Sequence, residues 1–293
     1  MQFLKLSIFT LFYCLSFSSC TSDDTPPTEA SSNVAAEVFK DISYGTHAQQ
    51  KYDLYLPEGR NTQKTKVLVL VHGGGWTEGD KTDMDGYVTL LQESHPDHAI
   101  VNINYVLAAP PSTPAFPNQF LDLQKVIRKL SEEKETLQIK DDFGLIGVSA
   151  GAHISLMYDY VYDINDQVKF VCDIVGPTNF NDPFYTENPN FEILLNFLTD
   201  AAAYPENTDL ATAVSPALQV SQRSSPSILF YGDQDPLVPL SNGTFLANAL
   251  SESNVTHNFT VYEGGHGNWD LTSLTDLQFQ LKQFINLHLP ISN

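Results

Sequence analysis

Five apolar residues in a row, Val67-Leu68-Val69-Leu70-Val71, constrain the fold more than any other stretch of the chain. A strand with one wet face alternates apolar and polar side chains. An unbroken β-branched run has no wet face and belongs between two covering layers. Further buried strands are expected at 99–105 and 170–175, and further strands at 143–148, 227–231 and 257–262. Helical spacing fills the gaps between them, at 83–94 (Tyr87, Leu90, Leu91), 116–130, 153–162, 241–251 and 271–289. The second of these gathers Phe120, Leu121, Leu123, Val126, Ile127 and Leu130 on one amphipathic face. Such alternation implies an α/β fold, with a mostly parallel central sheet and helices on both faces. Residues 39–44 and 52–56 alternate apolar and polar positions, as half-exposed antiparallel strands do. Regular alternation fails at 178–224, where Asn, Asp, Pro and Phe cluster around one expected helix at 191–203. That stretch reads as a small cap insertion over the carboxyl edge of the sheet.

Chemistry-bearing residues sit where those strands end. The apolar run at 143–148 closes in Gly147-Val148-Ser149-Ala150-Gly151, a G-x-S-x-G arrangement followed by a small-residue helix. A serine on so tight a strand-to-helix turn has its hydroxyl pushed out above the sheet. Gly147 and Gly151 are needed because a Cβ at either would meet neighbouring backbone. His72-Gly73-Gly74-Gly75-Trp76 follows the first buried strand, and its glycines leave N–H groups free to point at an oxyanion. No Gly-Lys-Ser/Thr follows, which argues against a nucleotide loop. After the strand at 227–231 comes Gly232-Asp233-Gln234-Asp235-Pro236, with two competing acids, Asp235 and Asp233; either can be a turn-forming aspartate capping its own loop, and Asp233 fits that reading well. After 257–262 comes Glu263-Gly264-Gly265-His266-Gly267, a glycine-flanked loop able to carry an imidazole. Of the other histidines, His72 is placed to order the glycine loop, His153 to pack behind Ser149, and His257 to sit in a strand.

Serine first, acid second and histidine last is the order found in α/β-hydrolases. The chain resembles that superfamily over nearly all of residues 34–290. The His-Gly-Gly-Gly-Trp and Gly-Val-Ser-Ala-Gly pair resembles carboxylesterases of the hormone-sensitive-lipase and bacterial feruloyl or acetyl esterase type. The resemblance implies Ser149 as nucleophile, His266 as base and Asp235, within G-x-x-D-x-x-V-P, as the acid. It implies Gly74, Gly75 and Ala150 as oxyanion donors, and chemistry with no metal or organic cofactor. Short-chain or carbohydrate-linked esters, acetyl or feruloyl, are the implied substrates. A serine peptidase or amidase of the same fold is the alternative within enzymes, and a non-catalytic hydrolase-fold binding protein is the alternative outside them. One departure is Asn104-Tyr105-Val106, where relatives often carry arginine after the tyrosine.

Thirty-five Asp and Glu against 15 Lys and Arg give a net charge of −20. Such a chain repels nucleic acid, anionic membranes and polyanions, so a neutral partner is expected. Residues 1–19 read as a lipoprotein signal: Lys5, a short apolar core, then Ser18 and Ser19 ahead of Cys20. Cys20 is the expected lipidation site and the only expected link to a membrane. Residues 20–33, rich in Thr, Ser, Pro and Asp, read as a flexible linker to a catalytic domain at 34–293. The expected location is the outer membrane or cell surface, with the periplasm as alternative. Cys172 is then the one cysteine left in the domain, a small core residue.

Overall fold

A computed structural model describes residues 34–109 and 111–291. The signal, Cys20 and the linker lie outside the described residues. Among the described residues the sheet has eight strands: β1 (Glu37–Ser43), β2 (Lys51–Leu56), β3 (Val67–Val71), β4 (Ala99–Ile103), β5 (Phe143–Val148), β6 (Val168–Ile174), β7 (Ser227–Gly232) and β8 (His257–Tyr262). Their order across the sheet is β1-β2-β4-β3-β5-β6-β7-β8. The β1–β2 and β2–β4 pairs are antiparallel, and every pair from β4–β3 to β7–β8 is parallel. This is the α/β-hydrolase fold. The two segments expected to be half-exposed form the antiparallel margin, but unequally: β1 is exposed along almost its whole length, whereas β2, between β1 and β4, is largely buried. The unbroken apolar run of β3 is fully covered in the parallel centre.

Side chains leave a strand on alternate faces, so the core divides in two. Val67, Val69, Val71, Val101 and Leu145 face one layer; Leu68, Leu70, Ile100 and Ile146 face the other. The first layer is covered by α2 (Asn118–Glu132), α4 (Ala150–Met157) and α8 (Leu240–Glu252); the second by α1 (Asp85–Ser94) and α9 (Leu271–His288). In α2, Phe120, Leu123, Val126, Ile127 and Leu130 are fully buried, as their spacing requires. A one-turn helix, α3 (Lys134–Leu137), links α2 to β5. Cys172 is buried in β6.

Two helices depart from what their spacing predicts, one in its winding and one in its length. The helix after Ser149 stays α-helical to Met157 and widens into a π-turn over Tyr158–Tyr162. The helix expected at 191–203 ends at Leu198. There Thr199 bridges Phe116, through Phe116 N–H to Leu198 O and Asp200 N–H to Phe116 O. Two hydrogen bonds to another segment outcompete continuation of the helix. The rest of the insertion is short: α5 (Pro183–Thr186), α6 (Phe191–Leu198), a 3-10 turn at Ala201–Ala203 and α7 (Leu210–Ala213).

Candidate active site

Chain direction reverses between β3 and β5, one leading outward to β4 and the other to β6. The crevice at such a switch point is where open α/β sheets hold their ligands. Ser149 leaves β5 at that crevice with φ +53°, a left-handed backbone that a side chain rarely adopts. The glycines around it have steric reasons. A Cβ on Gly147 would lie 2.5 Å from Ala152 N, and one on Gly151 would lie 2.1 Å from Val71 O and 2.4 Å from His72 O. The turn can therefore pass directly beneath the end of β3. Ser149 N–H donates to Ile174 O at 2.8 Å, and Ser149 O accepts from Ala152 and His153 at the start of α4.

Parallel β7 and β8 end side by side, so the acid and histidine loops nest. A Cβ on Gly232 would meet Gly265 O at 2.3 Å. Gln234 N–H donates to Gly264 O at 2.9 Å, and Gly264 N–H donates to Asp233 Oδ1 at 2.9 Å. Asp233 was expected to cap its own loop; it clasps the neighbouring histidine loop instead. Trp269 adds a donor from beyond that loop, to Gly265 O at 3.1 Å.

Those loops bring Asp235 and His266 to Ser149. His266 Nδ1 is 2.6 Å from Asp235 Oδ2, and His266 Nε2 is 2.8 Å from Ser149 Oγ. A carboxylate only accepts, so Nδ1 carries the hydrogen and Nε2 presents its lone pair to the serine hydroxyl. The other oxygen of Asp235 accepts from Leu237 and Val238 N–H at 2.8 and 3.0 Å. Burial by itself would raise the Asp235 pKa. The bonds from His266, Val238 and Leu237 more than offset burial and hold it below the usual carboxylate value. The sequence motifs thus identify all three side chains that meet.

The glycine loop lies against the serine. A Cβ on Gly73 would sit 3.0 Å from Val148 O and 3.3 Å from Ser149 Cβ. Gly74 and Gly75 have φ of +107° and +54°, and among the described residues neither donates its N–H to the protein. Ala150 is the first residue of α4, whose opening N–H groups have no partner within the helix. His72 orders the loop as its position suggests, with Nδ1 2.7 Å from Gly73 O and its ring stacked on Tyr105. The departure at Asn104-Tyr105-Val106 is supported by other means. Asn104 bonds Lys81 N–H and Asp80, Tyr105 donates from its hydroxyl to His72 O, and Val106 N–H donates to Asp122.

One buried group near the site carries no motif. Asp173 accepts from Gly176 N–H at 2.8 Å and lies 2.6 Å from the Tyr231 hydroxyl, itself 2.6 Å from Gly176 O. The Tyr231 hydroxyl is thus shared between the carboxyl and the Gly176 carbonyl. Burial pushes the Asp173 pKa up to about 7.

Ser149 and His266 open onto a cleft of about 470 Å³, walled by Met84, Tyr87, Leu237 and Trp269. Among the described residues its lining includes Asp83 but no Lys or Arg, and no residue from 178–224. The insertion therefore does not wall the cleft. It packs on the core through Phe180, Leu195, Leu198 and Val214.

The BD-FAE family model matches residues 52–250, from β2 to α8. No curated protein matches the chain by sequence. Solved structures do match in shape. A truncated carbohydrate esterase from gut microbiota aligns at TM-score 0.68 and 18% identity, over 86% of this chain and 98% of that one. The carboxylesterase Cest-2923 of Lactobacillus plantarum aligns at TM-score 0.69 and 14% identity, over 88% and 99%. An acetyl ester-xyloside bifunctional hydrolase of Caldicellulosiruptor lactoaceticus aligns at TM-score 0.64 and 19% identity, over 83% and 90%.

Proposed function

The chain belongs to the BD-FAE family, and from that premise we propose that it is a serine carboxylic-ester hydrolase acting on acetyl or feruloyl esters, including those carried on carbohydrate. The observation that carries this reading is the line of hydrogen bonds from Ser149 through His266 to Asp235. His266 Nε2 takes the hydroxyl proton as Ser149 Oγ attacks the ester carbonyl. Asp235 keeps the imidazole in the right tautomer and stabilises its charged form. The N–H groups of Gly74, Gly75 and Ala150 receive the oxyanion. Each such donor is worth on the order of 10²–10³ in rate. His266 then protonates the leaving alcohol, and water releases the acyl group by the same steps in reverse. The absence of Lys and Arg from the cleft lining supports a neutral ester, and so do the names of the carbohydrate and acetyl ester hydrolases of like fold.

Substituting Ser149→Ala should leave no measurable cleavage of p-nitrophenyl acetate, acetylated xylan or methyl ferulate. Activity retained in that variant would assign the chemistry elsewhere. We further propose that the protein is exported and anchored through a lipidated Cys20, on the strength of residues 1–20. The Cys20→Ala variant should move from the membrane to the soluble fraction of its host, and an unchanged distribution would rule the anchor out.

A further inference from the structure

We propose that His153 is a positioning residue for the oxyanion loop: its imidazole fixes Trp76, and through Trp76 the backbone of Gly74 and Gly75. The inference rests on the esterase reading of the Ser149 site.

The loop needs such a support. Gly74, Gly75 and Trp76 have successive φ values of +107°, +54° and +64°. Glycine accepts that region freely, whereas a bulky residue with a Cβ does so only where its surroundings hold it. Trp76 is held at both ends. Its carbonyl accepts from Ala108 N–H at 2.9 Å and from Gln119 Nε2 at 2.8 Å. Its indole N–H donates to His153 Nδ1 at 3.2 Å. Edge contacts with Phe116 and Phe180 fix the plane of the ring.

The protonation state of His153 follows from its partners. An indole only donates and a carbonyl only accepts. With Trp76 on Nδ1 and Val214 O 2.8 Å from Nε2, only the neutral imidazole with hydrogen on Nε2 satisfies both. Full burial keeps it neutral, lowering its pKa to about 4. Plain packing in this aromatic cage calls for leucine or phenylalanine. A side chain that accepts at one end and donates at the other is needed only if both bonds matter. His153 is also four residues beyond Ser149 on α4 and reaches Val214 in the insertion. One ring therefore ties the nucleophile's helix, the oxyanion loop and the insertion together.

The test compares His153→Leu, His153→Gln and Trp76→Phe in the full chain, by steady-state hydrolysis of p-nitrophenyl acetate. His153→Leu and Trp76→Phe should each lower kcat by about 10- to 100-fold, less than the loss of a whole oxyanion donor. KM should stay within about twofold, and the midpoint of the pH–rate profile should not move. His153→Gln, with an amide oxygen for the indole and an amide N–H for Val214, should recover most of the rate. The double variant His153→Leu with Trp76→Phe should be no slower than the slower single variant. Trp76→Phe keeps a ring in the cage, so the loss of the donor can be read even if His153→Leu does not fold. Unchanged kcat in Trp76→Phe, a Gln variant no faster than the Leu variant, or a shifted pH midpoint would each overturn the proposal. A wild-type chain that cleaves no ester and takes no fluorophosphonate at Ser149 overturns the esterase reading and this inference with it. An active wild type with indifferent variants overturns the inference alone.

Discussion

Two aspartates two residues apart do different work, and chemistry alone assigns it. Asp235 is buried, gives one oxygen to His266 and the other to two backbone N–H groups. Asp233 is exposed and gives its oxygen to Gly264 N–H. Asp235→Asn should keep the fold but present His266 with the wrong tautomer, lowering kcat by about 10³–10⁴-fold. Asp233→Asn should cost less than about tenfold, since an amide oxygen still accepts from Gly264. Steady-state kinetics of the two variants separate them, and equal losses would undo the assignment. A pH signature accompanies this. The Asp235 pKa is depressed on folding, so its contribution to stability is fully present above the unfolded value of about 4. It is lost as pH falls through the lower folded value, and Asp235→Asn should lack that part of the acid limb in unfolding titrations.

At the scale of elements, the sequence announces whatever is dictated by short-range sterics and burial. The buried runs became β3 to β7 within a residue or two at each end. The elbow was legible because Gly147 and Gly151 are demanded by contacts of 2.1–2.5 Å that no side chain could survive. Gly151→Ala drives a methyl into Val71 O and His72 O at once, and neither is a movable side chain. Overpacking of this kind costs about 3 kcal/mol, so thermal unfolding should fall by about 5–10 °C, with activity lost in parallel. A variant as stable as the wild type would mean that α4 can slide on β3. Long-range competition was illegible. Nothing near Leu198 says that Phe116 will capture Thr199 and stop the helix. The clasp of Asp233 and the Trp76–His153–Val214 line also join segments far apart in the chain. A signal existed for the second: a histidine among small and apolar residues just past Ser149 and an aromatic after three glycines. Each could equally have been simple packing.

For the molecule as a whole, the sequence carries a net charge of −20, and among the described residues the cleft lining has no Lys or Arg. An anionic ester approaches against that field, and a neutral one does not feel it. Raising ionic strength from about 10 to 150 mM shortens the Debye length from about 30 to 8 Å. The kcat/KM for a succinyl monoester should rise several-fold over that range, while p-nitrophenyl acetate stays level; parallel curves would show that the field does not reach the cleft. The layout of the site along the chain has a consequence in time as well. The glycine loop, Ser149 and His153 come from β3, β5 and α4, whereas Asp235 and His266 come from the loops after β7 and β8. The Ser149–His266 bond spans 117 residues and the His266–Asp235 bond only 31. A ribosome makes the serine elbow well before the imidazole that meets it. Until β8 and its loop have emerged, Ser149 has no imidazole beside it, so under the proposed function the nascent chain should not yet cleave esters.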